Sequence, residues 1–186
     1  MKQVEDSEIL EKFSVEKTRN EGFNLLLQKY QQKVYWHIRR LVIDHDDTDD
    51  LVQEVFVKVW KNLEKFRSDS QLYTWIYRIA TNESITFLNK KKQRNNVSLD
   101  DVSSELAETL VASDYFNGDR IQTKLQKALL TLPDKQRLIF NMKYFDDMKY
   151  DEIAEITGTS VGALKASFHI AVKKIEAFML NDDITF

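Results

Sequence analysis

Apolar residues recur at helical spacing along most of this 186-residue chain. The first clear stripe is Phe23, Leu26, Leu27, Tyr30, Val34, Ile38 and Leu41, whose steps place one face of a helix against a core. It stops at the acidic cluster Asp44 to Asp50. A second helix is predicted from there, capped by Asp47 or Thr48, with its carboxylates at the positive end of the helix dipole. Its buried face is Leu51 or Val52, Val55, Val59 and Leu63, and its other face carries Asp50, Gln53, Glu54, Val57 and Lys61. After the loop KNLEKFRSDSQ, a third helix runs from about Leu72 through TWIYRIATNESITFLNK. It ends in the basic run Lys90, Lys91, Lys92 and Arg94.

Residues 1–20 are polar and mixed in charge, a short helix or a frayed end. Residues 95–120 break the pattern; they read as a linker with room for a short helix near Glu105 to Val111. Beyond it, Leu125, Leu129 and Leu130 mark one helix. Pro133 suits the first turn of the next, where its missing N–H costs nothing. That helix runs to about Tyr144 with Leu138, Ile139 and Met142 inward. Asp146 and Asp147 turn the chain, and two further helices close the unit. The prediction is all-α: two small helical domains, residues 1–94 and 121–186, joined by an acidic linker over 95–120.

Composition narrows the chemistry. Four glycines and one proline leave little for strand turns. There is no cysteine, and the three histidines, His37, His45 and His169, are scattered. Disulfides, thiol redox chemistry and Cys-based zinc sites are therefore excluded, and no metal or other cofactor is expected. No apolar run reaches the roughly 18 residues of a membrane span. The start, MKQVEDSEILEKF, lacks the pattern of a secretory signal, so a cytoplasmic location is expected.

A net charge of −3 looks wrong for a protein that binds nucleic acid, but the average hides a pattern. Residues 21–95 carry 13 basic against 10 acidic side chains, residues 96–120 one against six, and residues 121–186 nine against nine. An acidic middle thus separates two segments that are neutral to basic.

The segment YDEIAEITGTSVGALKASFH, Tyr150 to His169, fits a helix-turn-helix. Such a motif needs a small residue where two helices cross, and Ala154 is fifth. It needs a residue tolerant of a left-handed turn, and Gly158 is ninth. It needs an apolar residue pointing back at the first helix, and Leu164 is fifteenth. Ile153 and Val161 fill the seam, and Ser160 can cap the second helix. The outer face, Gly162, Lys165, Ala166 and His169, has the form that enters a major groove. A plain helical hairpin packed in a bundle is the competing reading.

The third helix interleaves aromatics, amides and cations: Thr74, Trp75, Tyr77, Arg78, Asn82 and the basic tail. Stacked bases beside cations are how single strands are held. Trp75 and Ile79 are expected in the core, whereas Arg78, Asn82 and the lysines are candidates for DNA. On the second helix, Asp50, Gln53 and Glu54 form a polar stripe beside Val57 and near Trp60. That stripe is a solvated face or a dock for a basic partner helix.

Four ordered segments, DTDDLVQEVFVKVW, TWIYRIATNESITFL, LPDKQRLIFNMKYF and YDEIAEITGTSVGALKASFHIAVKKI, resemble those of bacterial extracytoplasmic-function sigma factors. These are small sigma-70-type factors with only the second and fourth sigma domains. The resemblance covers about residues 23 to 94 and 121 to 178. It implies a factor that joins core RNA polymerase, directs it to promoter DNA and helps open the duplex, without catalysis or a small-molecule substrate. It implies that Asp50, Gln53, Glu54, Val57 and Trp60 dock on the clamp of the β′ subunit. The loop from Leu63 to Gln71, with Phe66 and Arg67, would hold a flipped −10 base. Arg78, Asn82, Lys90, Lys91, Lys92 and Arg94 would face the −10 region. Tyr150, Ser160, Gly162, Lys165, Ala166, His169 and Lys173 would serve the −35 element, near the β flap. The acidic linker would thread towards the RNA exit path. An anti-sigma factor, in many relatives membrane-anchored, is a further implied partner.

The sequence also departs from the family. Ala166, Ser167 and Ile170 stand where polar or basic groups are common, Thr159 replaces an apolar residue, and Ile85 or Thr86 stands near a missing acid. A free-standing helix-turn-helix regulator, dimeric on a palindromic site, is the alternative, and a helical adaptor that binds only protein is a third. No carboxylate pair, histidine cluster or glycine-rich phosphate loop points to an enzyme.

Overall fold

The computed structural model describes residues 4–67, 69–95 and 120–181, with the backbone alone at Arg94, Asn95 and Arg120. Among them all regular structure is helical: α1 (Asp6–Ser14), α2 (Arg19–Val42), α3 (His45–Asn62), α4 (Leu72–Asn95), α5 (Arg120–Leu130), α6 (Asp134–Tyr144), α7 (Tyr150–Thr157) and α8 (Val161–Leu180). Short 3-10 turns at Glu16–Thr18 and Leu63–Lys65 complete the connections. Most of the expected linker, 96–119, with the short helix expected near Glu105 to Val111, lies outside the described residues.

The polar N-terminal stretch forms a helix because it has two anchors. Ile9 and Phe13 of α1 are buried against α2. Asp6, in the first turn of α1, accepts hydrogen bonds from Lys29 Nζ at 2.8 Å and the Tyr30 hydroxyl at 2.6 Å. Gly22 permits the close crossing, since a Cβ there would lie 2.6 Å from the Phe13 nitrogen and 2.9 Å from the Ile9 oxygen. Trp60 closes the far end, edge-on to Phe13 and Phe23 at centroid distances of 5.2 and 4.9 Å.

The stripe predicted for α2 is buried at Leu26, Tyr30, Val34, Ile38 and Leu41, and His37 lies within it. The cap of α3 differs from expectation. Asp44, not Asp47 or Thr48, is the N-cap, and its carboxylate accepts from the Asp47 N–H at 2.9 Å. Helix α2 closes on Ile43, at φ 69°, whose N–H reaches the Arg39 oxygen, so only two residues separate α2 from α3. That tight corner puts the extended capping position at Asp44 and draws Thr48 inside. Leu51 and Val52 are both buried, as are Val55, Phe56 and Val59.

Helix α4 also needs a correction. Trp75 and Ile79, expected in the core, are only half-buried. The buried line is instead Leu72, Ile76, Ala80, Ser84 and Leu88, a strict spacing of four, with Tyr77 beside it. Trp75 packs at the rim, 5.4 Å from the Phe66 ring.

In the C-terminal unit, Pro133 is the N-cap of α6 rather than a residue of its first turn. Its ψ of 143° is extended, and its carbonyl accepts from the Arg137 N–H. Helices α5, α6 and α8 share a small core of Ala128, Leu129, Leu132, Phe140, Ala171 and Ile175. The other face of α6, with Met148, Ile153, Ile156 and Leu164, is continuous with the core of α2, α3 and α4. The two units therefore pack directly on each other.

A Gly22→Ala variant is expected to lose about 1–3 kcal/mol of stability, since the clash is with backbone and the crossing must widen. Urea unfolding of the variant would read this, and an unchanged midpoint would refute the close-crossing account.

Candidate nucleic-acid interface

The pair α7–α8 has helix-turn-helix geometry. Gly158 terminates α7 in the left-handed region, φ 67° and ψ 17°, and its N–H reaches the Ala154 oxygen at 2.8 Å. Glu152 folds back to accept the Lys149 N–H at 2.7 Å, which stabilises the start of α7. Ser160 is the N-cap of α8 and accepts from the Ala163 N–H at 3.4 Å. Leu164 and Ile153 are fully buried in the seam, with Val161 half-buried at its edge.

Of the residues predicted for the major groove, Ser160, Gly162, Lys165, Ala166, His169 and Lys173 are exposed on one run of α8. The position of Gly162 is open; a Cβ there would meet nothing within 4 Å. Tyr150 is half-buried and acts as a platform. The ammonium groups of Lys143 and Lys165 lie 5.5 and 5.8 Å from its ring centroid, within cation–π range. Lys174 is drawn aside to Gln136 at 3.2 Å.

The residues predicted to face single-stranded DNA are spread around α4 and the loop before it, and several are already engaged. Arg78 is paired with Glu155 of α7 at 2.8 Å. Lys91 is paired with Asp47 at 3.0 Å, and Lys92 with Asp134. Asn82 lines a crevice of about 330 Å³ together with Ile85 and with Ile156, Thr157, Ala163 and Ser167 of the helix-turn-helix. Arg67 and Lys90 are exposed, and Phe66 is half-buried. The Arg94 side chain lies outside the described residues.

On α3, Asp50, Gln53, Glu54 and Val57 form an exposed stripe, with Val57 retaining 51% of its surface. Trp60 is half-buried beneath α1, so much of its ring serves the aromatic cluster with Phe13 and Phe23.

Sequence reasoning missed the groups that join the units. The Asp146 carboxylate, 5% exposed, accepts from His37 Nδ1 at 2.9 Å and from Arg40 at 2.8 Å. Because an ionised carboxylate only accepts, His37 Nδ1 carries the proton; in the neutral ring Nε2 accepts from the Thr81 hydroxyl at 2.9 Å. The Tyr73 hydroxyl donates to Glu152 at 3.4 Å. Burial first, and then the Glu152 and Asp146 carboxylates, push the Tyr73 phenol up; burial and Asp146 do the same for Tyr77. Both phenols therefore stay protonated, and Tyr73 remains a donor. The available signal was His37 itself, a polar residue inside the stripe Val34, Ile38, Leu41. A buried histidine on an apolar face demands a partner.

This is a helical protein in which a helix-turn-helix packs against a cationic, aromatic helix, α4, the layout of a DNA-binding transcription factor. Residues 26–108 match the model for sigma-70 region 2, and residues 122–175 match that for sigma-70 region 4. The ECF RNA polymerase sigma-E factor of Escherichia coli strain K12 is 30% identical over 182 residues, covering 94% of each chain. The RNA polymerase sigma-H factor of Pseudomonas aeruginosa is 30% identical over 190 residues, covering 94% of this chain and 93% of the relative. SigW of Bacillus subtilis is 28% identical over 163 residues, covering 83% and 87%. The fold is similar to that of CnrH, solved with the cytosolic domain of CnrY, at a TM-score of 0.70 and 22% identity over 96% of this chain and 100% of that one. It is also similar to RpoE of Bartonella quintana, solved with the anti-sigma factor NepR, at 0.67 and 21% over 86% and 98%. The chain belongs to the extracytoplasmic-function sigma factors of the sigma-70 family, and is an alternative sigma factor for transcription initiation.

Gly158→Ala should destabilise the motif by about 1 kcal/mol, because alanine is strained at that φ, and Gly158→Asn should be milder. Thermal unfolding of the two variants would show the order; equal melting would count against the left-handed turn.

Proposed function

We propose that each sigma task falls to one surface of this chain. Residues 1–94 form the unit that meets the polymerase clamp and the −10 element, residues 121–186 the unit that meets the −35 element, and residues 95–120 the acidic link between them. In the second unit Tyr150, Ser160, Gly162, Lys165, Ala166, His169 and Lys173 contact −35 DNA. In the first, Arg78, Asn82, Lys90, Lys91, Lys92 and Arg94 face the −10 strand, with Phe66 and Arg67 at a flipped base. Asp50, Gln53, Glu54, Val57 and Trp60 dock on the β′ clamp, and the second unit lies near the β flap.

The observation that carries this division is the exposed stripe on α3, an acid-and-amide row around a bare valine. Val57 keeps 51% of its surface exposed within the described chain. Such a row suits a basic helix of a partner, and a regulator acting alone has no use for it. The factor performs no chemistry of its own; it positions polymerase and holds opened DNA. It works in the cytoplasm. An anti-sigma factor, such as the NepR with which RpoE of Bartonella quintana was solved, would hold it inactive, at the inner membrane where that partner is anchored.

The test is core polymerase binding and run-off transcription from genomic fragments. Specific transcripts that appear only with the factor are expected, and their start sites would define the two elements. Neither core binding nor a specific transcript would sink the proposal. Lys165→Glu should weaken −35 recognition tenfold or more, on the order of 1–3 kcal/mol, while core binding stays intact. Loss of core binding in that variant would refute the placement. Gln53→Ala combined with Glu54→Ala should do the reverse; unaltered affinity for core in a pull-down would remove the docking face from α3.

A further inference from the structure

We infer that the crevice between α4 and the helix-turn-helix is a binding site for a small amphipathic carboxylate, an aliphatic acid of about ten non-hydrogen atoms. Its volume of about 330 Å³ lies at the lower end of the range of about 300–1,000 Å³ typical of ligand sites. Its walls have the composition such sites use. Ile85 of α4, Leu138 and Ile139 of α6, Ile156 of α7 and Ala163 of α8 supply aliphatic surface. Ile85 keeps 41% of its surface exposed, so apolar area remains for a ligand to cover.

The polar groups select the head group. The Thr81 hydroxyl is engaged with His37 Nε2 at 2.9 Å. The Thr157 hydroxyl donates to the Ile153 oxygen at 2.7 Å and accepts from the Thr159 N–H at 3.3 Å. The side chains of Asn82, Ser167 and Lys135 have no hydrogen-bond or ion-pair partner among the described residues. All three can donate, and Lys135 brings a positive charge. Among the described residues no carboxylate lines the crevice. An aliphatic chain with an anionic acceptor at one end satisfies both halves. The chain covers the isoleucines and Leu138, and the carboxylate takes a charge-assisted hydrogen bond from Lys135. A cationic amphiphile would set like charges together, and a neutral one would forgo the charge-assisted bond.

Three of the positions at which the sequence departs from its family, Ile85, Thr159 and Ser167, meet in this crevice. Ile85, near the place of the missing acid, gives apolar wall where a carboxylate side chain would repel the ligand. The site also has a regulatory consequence, which rests on the −10 role proposed for Asn82. The acid and the DNA strand both use that side chain, so each lowers the affinity of the chain for the other.

The experiment titrates octanoate, an acid of the stated size, into the full chain by calorimetry, with octanol and octylamine as neutral and cationic comparisons. One octanoate should bind per chain with a Kd on the order of 10⁻⁴ M. Octanol should bind about tenfold more weakly, and octylamine should show no saturable binding. Lys135→Gln should weaken octanoate about tenfold and leave octanol unchanged. Lys33→Gln on α2, outside the crevice, should alter neither. Ala163→Phe should fill the crevice and abolish binding of both. Lys135 is exposed, so its variant keeps the test decisive if the larger side chain disturbs α8. The inference is overturned by octanoate that fails to saturate, by affinity that Lys135→Gln leaves unchanged, or by octanol binding as tightly as octanoate. Octanoate is then added to run-off transcription with core polymerase, where it should lower the transcript yield of the wild type more than that of Lys135→Gln. Bound octanoate with unaltered yield overturns the competition and the −10 role of Asn82, while the site itself stands on the calorimetry. Absence of core binding and of transcripts without octanoate refutes the proposed sigma surfaces instead, independently of ligand binding.

Discussion

Asp146 has two carboxylate oxygens, and the fold spends one on each of two residues a hundred positions away in the chain. One oxygen takes His37, which is fully buried, and the other takes Arg40, whose guanidinium also lies 4.6 Å from the Phe145 ring. A carboxylate at this depth is tolerable only because both partners are present and hydrogen-bonded. Removing one partner of such a group typically costs about 3–5 kcal/mol. Around this point α2 meets α6, with the Asn141 amide reaching the Arg40 carbonyl at 3.4 Å, and α4 meets α7. Tyr73 and Tyr77, kept neutral by burial, fill the space beside it. The joint is polar at its centre and apolar around it, through Leu138, Ile139, Met148, Ile153 and Ile156.

The same economy runs through the ion pairs of α4. Arg78, Lys91 and Lys92 all have carboxylate partners in the closed molecule. The pairs with Glu155 and Asp134 cross to the other unit, whereas the Lys91 pair stays within the first. At exposed positions such pairs contribute about 0–1 kcal/mol each. They stabilise the fold little. Their effect is to neutralise cations that would otherwise attract any polyanion.

Elements whose signal is local periodicity were legible in the sequence. The stripe of α2, the capping serine and left-handed glycine of the helix-turn-helix, and the exposed row on α3 are all consequences of spacing. The errors have a common cause. Asp47 and Thr48 looked like caps because every residue from Asp44 to Asp50 except His45 is a plausible one; the choice of Asp44 depends on where α2 ends. Trp75 and Ile79 looked buried because they are apolar, yet the core of α4 follows a line four residues apart set by two neighbouring helices. Gly22 gave no local sign at all. Its role exists only once α1 lies across it. The contacts of Asp146 and Glu155 were equally invisible, since they pair residues 109 and 77 positions apart.

On the proposed roles, the weak charge of α8 follows from the two-unit design. Lys165, His169 and Lys173 are few for a helix that must hold DNA unaided, and Ala166 and Ile170 add no hydrogen bonds. A unit of this kind, binding duplex non-specifically with a Kd of about 10⁻⁴ M, would be mostly free at cellular concentrations. Tethering changes the arithmetic. Held near its site by polymerase and by the first unit, as proposed, it would experience an effective concentration of about 10⁻³ M, which would favour the bound form about ten to one. More lysines would raise affinity for all DNA, titrate the free factor onto the chromosome and lower discrimination between promoter and bulk. A recognition helix that is inadequate alone and sufficient when tethered is therefore the composition to be expected of a factor that should act only with polymerase.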